Sequence, residues 1–425
     1  MTLLPRIFTD IKPDNVFNVL IIIQHEGNLA NIDFNDQINK LNKIYGHNGI
    51  FEFYIAGRRQ IKISNSNETI KLLNELFEEL SNYWIDINQN NYNSGIIDLT
   101  AWTNRFLNDL IFLLSTGKRS FAINYYYRKL KNEKITKNII DSEHYIECLT
   151  YFLVNFRIAF IPKILRRLPL IRYHVDKFID ISNFLFERLL EVVRERREEI
   201  EKLRVDSSLV KALNNDEIST ILFDILTGST DSVTSAFSFV LYDIAHHPDV
   251  KKKLVDEINS VFRDDLSIQI TLDDLEKLKY CEAIILEKLR IRSPTTNITR
   301  YNKEPDEVVR YKWPSNTSFL LHVRGINNNP LYWEDPDKFM PERFFKPQKT
   351  DKLYGFLSTS FGAGLRNCPG RKIAMIEIKL LLALIYRRFN IELVDMKAPL
   401  EIFPTVMAIC KKLEARIIPN NQFKF

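Results

Sequence analysis

Apolar residues recur at helical spacing through most of this chain. From Asn67 to Trp84 they fall at Ile70, Leu72, Leu73, Leu76, Phe77 and Leu80, a period near 3.6 that predicts a helix with one buried face. Further helices are expected over Leu99–Thr116, Glu143–Phe160 and Phe178–Leu203. In the last of these, the alternating charges of Arg194–Lys202 suit a solvated face. Asn215, Asp216 and Glu217 offer a cap and first-turn acids for a long apolar helix running to about His247, with Pro248 starting another. An amphipathic helix is expected over 272–291, followed by Pro294, and a last helix over Arg371–Phe389 is apolar almost all round, which marks it as buried. Strands are expected where the period drops to two: a pair within Ile50–Ser64, turning at Gly57, Arg58 and Arg59, and short strands within Arg300–Leu321. No repeat or low-complexity linker divides the chain. The pattern therefore predicts one mainly α domain over 1–425, with a small β lobe from about 50–64 and 300–321.

Composition supports a helical fold. Only 12 glycines occur in 425 residues, well below the usual share of about 7%, and no GxGxxG or GxxxxGK stretch offers a nucleotide cradle. The net charge of +5 is spread along the chain rather than gathered in a basic arm, so nucleic acid is not an expected partner. A mild basic excess suits docking of an acidic electron-donating protein. Four widely spaced cysteines form neither a disulfide framework nor a CxxC pair, which fits a reducing compartment. Val19–Ile23 is a short apolar run ended by Gln24, His25 and Glu26, far below the roughly 18 to 20 residues of a membrane span. Neither an anchor nor a signal peptide is expected from it.

The candidate chemistry lies near the C-terminus, in Phe361 Gly362 Ala363 Gly364 Leu365 Arg366 Asn367 Cys368 Pro369 Gly370. Cys148, Cys281 and Cys410 sit in apolar surroundings and read as small buried hydrophobes. Cys368 sits among turn formers immediately before a buried helix, where unpaired amides and partial positive charge push a thiol toward the thiolate, the form that binds metals. Arg366 adds positive charge beside it. Gly362, Gly364 and Gly370 let backbone approach a flat ligand, and Pro369 fixes φ at the helix entrance. The pattern FxxGxRxCxG resembles the cysteine loop of the cytochrome P-450 family, the haem-thiolate monooxygenases. By that resemblance Cys368 is the axial ligand of haem iron, Arg366 faces a haem propionate and Phe361 shields the sulfur.

Three further constellations stand in the family's order. Gly228, Ser229, Thr230, Asp231 and Ser232 interrupt the long apolar helix, where a buried unpaired acid costs several kcal/mol. A solvated polar face or a hydroxyl-induced bend is the ordinary explanation. The segment also resembles the family's oxygen-binding helix, with Asp231 at the acid and Ser232 in place of the usual threonine, and with Ser229 where glycine is commoner. Glu287 and Arg290, three apart, would by themselves be a surface pair worth a few tenths of a kcal/mol. With Pro341 Glu342 Arg343 Phe344 downstream they resemble the family's ExxR and PERF charge network, which implies a structural role for Glu287, Arg290 and Arg343. Arg300 matches a second propionate contact. Trp102 and Arg105, spaced WxxR, read as core packing and a helix surface charge.

The resemblance implies the cytochrome P-450 fold, with haem between the long central helix and the cysteine loop. It also implies haem b as cofactor, NADPH acting only through a flavoprotein reductase, and insertion of one atom of dioxygen into a small apolar substrate. It points to the endoplasmic reticulum membrane, whereas the absence of an anchor signal points to a soluble or cytoplasmic-side protein. The chain also departs from the family between Ser64 and Asn74, where a substrate loop and a helix bearing WxxxR are expected and several dozen residues are missing. That leaves a haem-binding relative with impaired or truncated catalytic machinery as the alternative. A thiol-nucleophile enzyme needs a base near Cys368, and none of the seven histidines lies in its motif.

Overall fold

The computed structural model describes residues 50–55, 58–63, 66–90, 92–133, 137–162, 164–202, 214–262, 269–308, 310–344, 358–362, 366–404 and 407–420. The run at 19–23, the turn at Gly57 and the loop residue Gly364 lie outside them.

The chain opens with an antiparallel hairpin, β1 (Ile50–Ile55) and β2 (Arg58–Ile63), and enters the helices α1 (Ser66–Gln89), α2 (Leu99–Thr116), α3 (Ala122–Leu130), α4 (Lys137–Val154) and α5 (Pro169–Lys202). The central α6 (Asn215–His246) and α7 (Pro248–Phe262) follow. Asn214 rather than Asn215 caps α6, in a reciprocal box where Glu217 N donates to Asn214 Oδ1 at 2.8 Å and Asn214 N donates to Glu217 Oε2 at 2.9 Å.

The single helix expected over 272–291 is two, α8 (Leu272–Lys277) and α9 (Lys279–Ile291). Leu278 leaves helical geometry at φ −76°, ψ 73°. The break is held from outside: the carboxylate of Glu257 on α7 accepts Tyr280 N at 2.6 Å and Cys281 N at 2.8 Å, satisfying the exposed amides of α9. The chain continues through β4 (Asn297–Tyr301), β5 (Asp306–Val308), β6 (Tyr311–Trp313), β7 (Ser318–His322), α10 (Val323–Asn327) and the buried α11 (Arg371–Arg388). Pro369 precedes α11 by two positions, so Gly370, not proline, stands at its entrance.

The sheet component is larger than expected. Besides the pairs β4–β7 and β5–β6, β3 (Ile96–Asp98) and β8 (Phe389–Leu393) flank β11 (Glu414–Pro419), and β9 (Ile402–Pro404) pairs with β10 (Ala408–Cys410). Asp98 joins this sheet to α2, because its Oδ1 accepts Thr100 N at 3.0 Å as a cap and Leu413 N at 3.2 Å.

The main core gathers α1, α2, α6, α9 and α11. Trp84 and Trp102 are buried and meet edge-to-face at 6.4 Å, with Phe389 on Trp84 at 5.8 Å, arrangements worth about 0.5–1.5 kcal/mol beyond area burial. A second cluster stacks Phe152 on Phe178 at 5.1 Å and sets Phe223 edge-on at 5.2 Å. Cys148, Cys281 and Cys410 are buried as expected. Among the described residues no helix is long and apolar enough to cross a membrane.

Within α11 the side chain of Glu377 is 1% exposed and its Oε1 has no partner. Burial alone pushes its carboxyl up to about 8. The folded state therefore holds a proton that the unfolded chain releases near pH 4.5, so stability falls as pH rises from about 4.5 through 8. Glu377→Gln is expected to remove that slope and to raise stability at pH 8 by a few kcal/mol, read from urea midpoints of both proteins at pH 5 and pH 8.

Candidate active site

The described part of the cysteine turn is close-packed. Cys368 N donates to Phe361 O at 2.6 Å, closing the loop on itself. Gly362 takes φ +74°, a conformation that L side chains rarely adopt, and a Cβ there would stand 3.4 Å from Arg366 O. Gly370 has φ −83°, so its own backbone does not require glycine. Cys368 is exposed. Enclosure by the turn pushes its thiol pKa up, while the amides of Gly370 and Arg371 directed at the sulfur pull it down, and the net direction is upward. The helix-entrance effect expected from the sequence is present, but desolvation outweighs it.

Strand β4 lies against this turn. Ile298 Cδ1 is positioned 3.9 Å from where a Gly362 Cβ would be, and Arg300 Nη2 donates to Arg366 O at 3.4 Å. The Arg300 guanidinium is thus brought to the backbone of Arg366 in the cysteine loop. Phe361 packs on the core, with the Arg371 guanidinium 5.6 Å from its ring centre.

Behind the turn sits the charge network. Glu287 is fully buried, and Arg290 grips it with two bonds, Nε to Oε2 at 2.8 Å and Nη2 to Oε1 at 2.9 Å. Arg343 Nε at 3.2 Å and Met340 N at 3.0 Å also donate to Oε1. Arg290 further reaches Asn327 O at 3.0 Å and lies 4.9 Å from the Trp333 ring centre. From there a polar chain runs to the cysteine turn: Asn327 Nδ2 donates to Ser360 Oγ at 3.2 Å, and Ser360 Oγ donates to Leu289 O at 2.9 Å. Ser360 immediately precedes Phe361. Asn327 and Ser360 were not singled out from the sequence, because their link exists only once α10 and the turn at 358–361 meet. Ser360→Ala is expected to cost about 1 kcal/mol through loss of its bonds to Asn327 and Leu289, and to loosen haem retention; thermal unfolding and haem dissociation rates measure both.

The long helix places its polar residues on two faces. Ser229 Oγ donates to Ile225 O and Ser232 Oγ to Gly228 O, both at 2.6 Å, the local back-bonding that lets hydroxyls sit within helices. Ser232 is half-buried on the open side, whereas Asp231 is 3% exposed and turned toward α2. Asn104 Nδ2 donates to Asp231 Oδ1 at 2.6 Å, and Oδ2 has no partner. Burial pushes the Asp231 carboxyl up to about 6 against the pull of Asn104 and Arg105. Asn104 is a site residue that the sequence reading passed over. Thr100, Asn104 and Asn108 recur every four residues and are all buried, but Thr103, Arg105 and Asp109 interleave with them, so the spacing alone did not mark Asn104. Arg105, read as a surface charge, instead forms a two-bond ion pair with the buried Glu143, at 2.5 and 3.1 Å. Trp102 is core, as expected.

A soft thiol on an exposed loop, with two backbone amides directed at the sulfur and two arginines adjoining it, has the donor chemistry of an axial ligand for a metal ring bearing carboxylates. Among the described residues no cluster of His, Cys, Asp and Glu competes as a metal site. The residues present fit haem.

Comparison with known proteins agrees. Cytochrome P450 4d2 of Drosophila melanogaster is 36% identical over 176 residues, 41% of this chain and 34% of that protein. Tabersonine 3-oxygenase of Catharanthus roseus is 31% identical over 225 residues, 51% of this chain and 43% of that one. The chain thus spans less than half the length of these curated relatives. The haem domain of a cytochrome P450DA variant superposes with a TM-score of 0.67 at 17% identity, covering 90% of this chain and 93% of that one, which shows the fold. The family model described as Cytochrome P450 matches residues 28–418, and so the chain whose cysteine turn, buried Glu287 network and long helix are described above belongs to the cytochrome P450 family.

Proposed function

We propose that this protein is a haem-thiolate monooxygenase that inserts one atom of dioxygen into an apolar organic substrate, using electrons from a separate NADPH-dependent flavoprotein reductase. The observation that carries the reading is the Cys368 turn, an exposed thiol tied through Ser360 and Asn327 to the buried Glu287–Arg290 pair. Haem bound through that sulfur supplies dioxygen activation, with the thiolate favouring O–O cleavage.

The chain's own residues do the rest. Cys368 would hold the iron, and Arg300 and Arg366 would neutralise the ring carboxylates. Gly362 keeps the loop compact enough to present the sulfur. Asp231 is held against α2 by Asn104, and burial pushes its carboxyl up to about 6, so it would hold a proton inside the helix packing rather than on the open side that Ser232 faces. The Ser232 hydroxyl proton is committed to Gly228 O, so its lone pairs face outward as acceptors.

A second reading, a haem-binding relative with impaired turnover, is favoured by one observation. Only residues 64 and 65 separate β2 from α1, where the resembled family carries a further helix. Turnover with isotopically labelled dioxygen, reductase and NADPH, across lipid and aromatic substrates, decides between them. Label in the organic product supports the monooxygenase. Absence of product and of NADPH consumption, in protein that keeps a thiolate-type carbonyl band, supports the impaired relative.

A further inference from the structure

We propose that Asn104 and Asp231 form a closed amide–carboxylic acid pair, in which Asp231 is a neutral acid that donates its proton to Asn104 and so clamps α2 to α6. The contact is shut off from solvent, with Asn104 7% and Asp231 3% exposed. One bond is already made, from Asn104 Nδ2 to Asp231 Oδ1 at 2.6 Å. The atoms left over on the same two side chains, Asn104 Oδ1 and Asp231 Oδ2, are both buried without a partner among the described residues. Further along the same seam, Thr100 Oγ1 of α2 meets Ser238 Oγ of α6 at 3.1 Å, so the two helices are also joined one turn away on α2 and two turns away on α6.

Amide and carboxyl are both planar forks, so a bond between one prong of each brings the other prongs within reach of a second. While Asp231 is a carboxylate, those remaining prongs are two acceptors that repel. A proton on Oδ2 makes that oxygen a donor, and one proton then satisfies both orphans, each of which otherwise carries the full cost of desolvation. The charge that acts on Asp231 is Arg105, next to Asn104 on α2, and its guanidinium is engaged by Glu143 of α4 at 3.1 Å. Burial outweighs both Arg105 and the bond from Asn104, and pushes the carboxyl up to about 6. The return bond to Asn104 Oδ1 belongs to the protonated form alone and carries the carboxyl past neutrality. Asn104 is therefore a positioning residue: it fixes Asp231 toward α2 and takes its proton out of exchange with the open side that Ser232 faces. That last consequence rests on the reading above; the pair itself does not.

The test is the infrared spectrum of the haem-loaded protein, recorded as the difference from Asp231→Asn and followed from neutral to alkaline pH. A neutral-carboxyl C=O band is expected at neutral pH and is expected to disappear only as the solution becomes alkaline. Asn104→Leu removes the bonded amide, and the band is expected to move to higher wavenumber. The exchanged pair, Asn104→Asp with Asp231→Asn, rebuilds the same contact from the opposite helices; it is expected to restore the position of the band and the urea midpoint that Asn104→Asp alone loses. A carboxylate band alone at neutral pH, a neutral band unmoved by Asn104→Leu, or no recovery in the exchanged pair overturns the proposal. The same difference spectrum is expected from the cofactor-free protein, and the carbonyl spectrum reports separately on haem ligation, so failure of the haem reading is seen independently of the acid–amide pair.

Discussion

Replacing Cys368 with alanine is expected to abolish the thiolate-type carbonyl band and to reduce haem retention by far more than the roughly 10- to 100-fold typical of losing a residue behind a metal ligand. The stability of the cofactor-free chain is expected to stay within about 0.5 kcal/mol of wild type. The asymmetry follows from geometry. Cys368 is exposed, so truncation removes no core volume, and the hydrogen bond that closes the turn runs from its backbone amide to Phe361 O and survives. A cysteine serving only as a core hydrophobe gives the opposite result. Cys281, fully buried among the helices, serves as the control: Cys281→Ala is expected to lower stability by about 1 kcal/mol with the carbonyl band kept. Haem content and unfolding midpoints of the two variants, measured side by side, separate the roles.

The second large effect is expected at Glu287. Its carboxylate is fully buried and accepts from Arg290, Arg343 and the amide of Met340. Glu287→Ala strands two buried guanidiniums, a loss of about 3–5 kcal/mol when one partner of a buried pair is removed. Arg290 keeps Asn327 O and the Trp333 ring, which argues for the lower half of that range. Because Asn327 and Ser360 connect this network to the cysteine turn, haem affinity is expected to fall with stability. Urea denaturation of the cofactor-free protein measures the first and haem dissociation the second. A loss under about 1 kcal/mol would contradict the network's structural role.

Elements with a long unbroken period were legible in the sequence. α2 begins and ends at Leu99 and Thr116 as expected, and α11 differs from expectation by one residue. The Cys368 turn was legible because its determinants lie within ten consecutive residues. The break at Leu278 was hidden, since a buried leucine continues the apolar stripe and the carboxylate that caps α9 comes from α7. The sheet β3–β11–β8 was hidden because the three residues of β3 pair with a strand more than 300 positions away, and so short a strand carries no period. Arg105 was misread for the same reason: Glu143, which buries its charge, lies 38 residues on. Asp231 was placed correctly in the long helix, but that it faces Asn104 depends on how α2 and α6 pack.

The claim on which the rest depends is sulfur ligation of haem by Cys368. The most direct measurement is the carbon monoxide difference spectrum of the dithionite-reduced, haem-loaded wild-type protein. A single red-shifted band of a thiolate-ligated ferrous haem, absent from Cys368→Ala, is the predicted result. Failure to take up haem, or a band at the position of histidine or protonated-thiol ligation, would contradict the account.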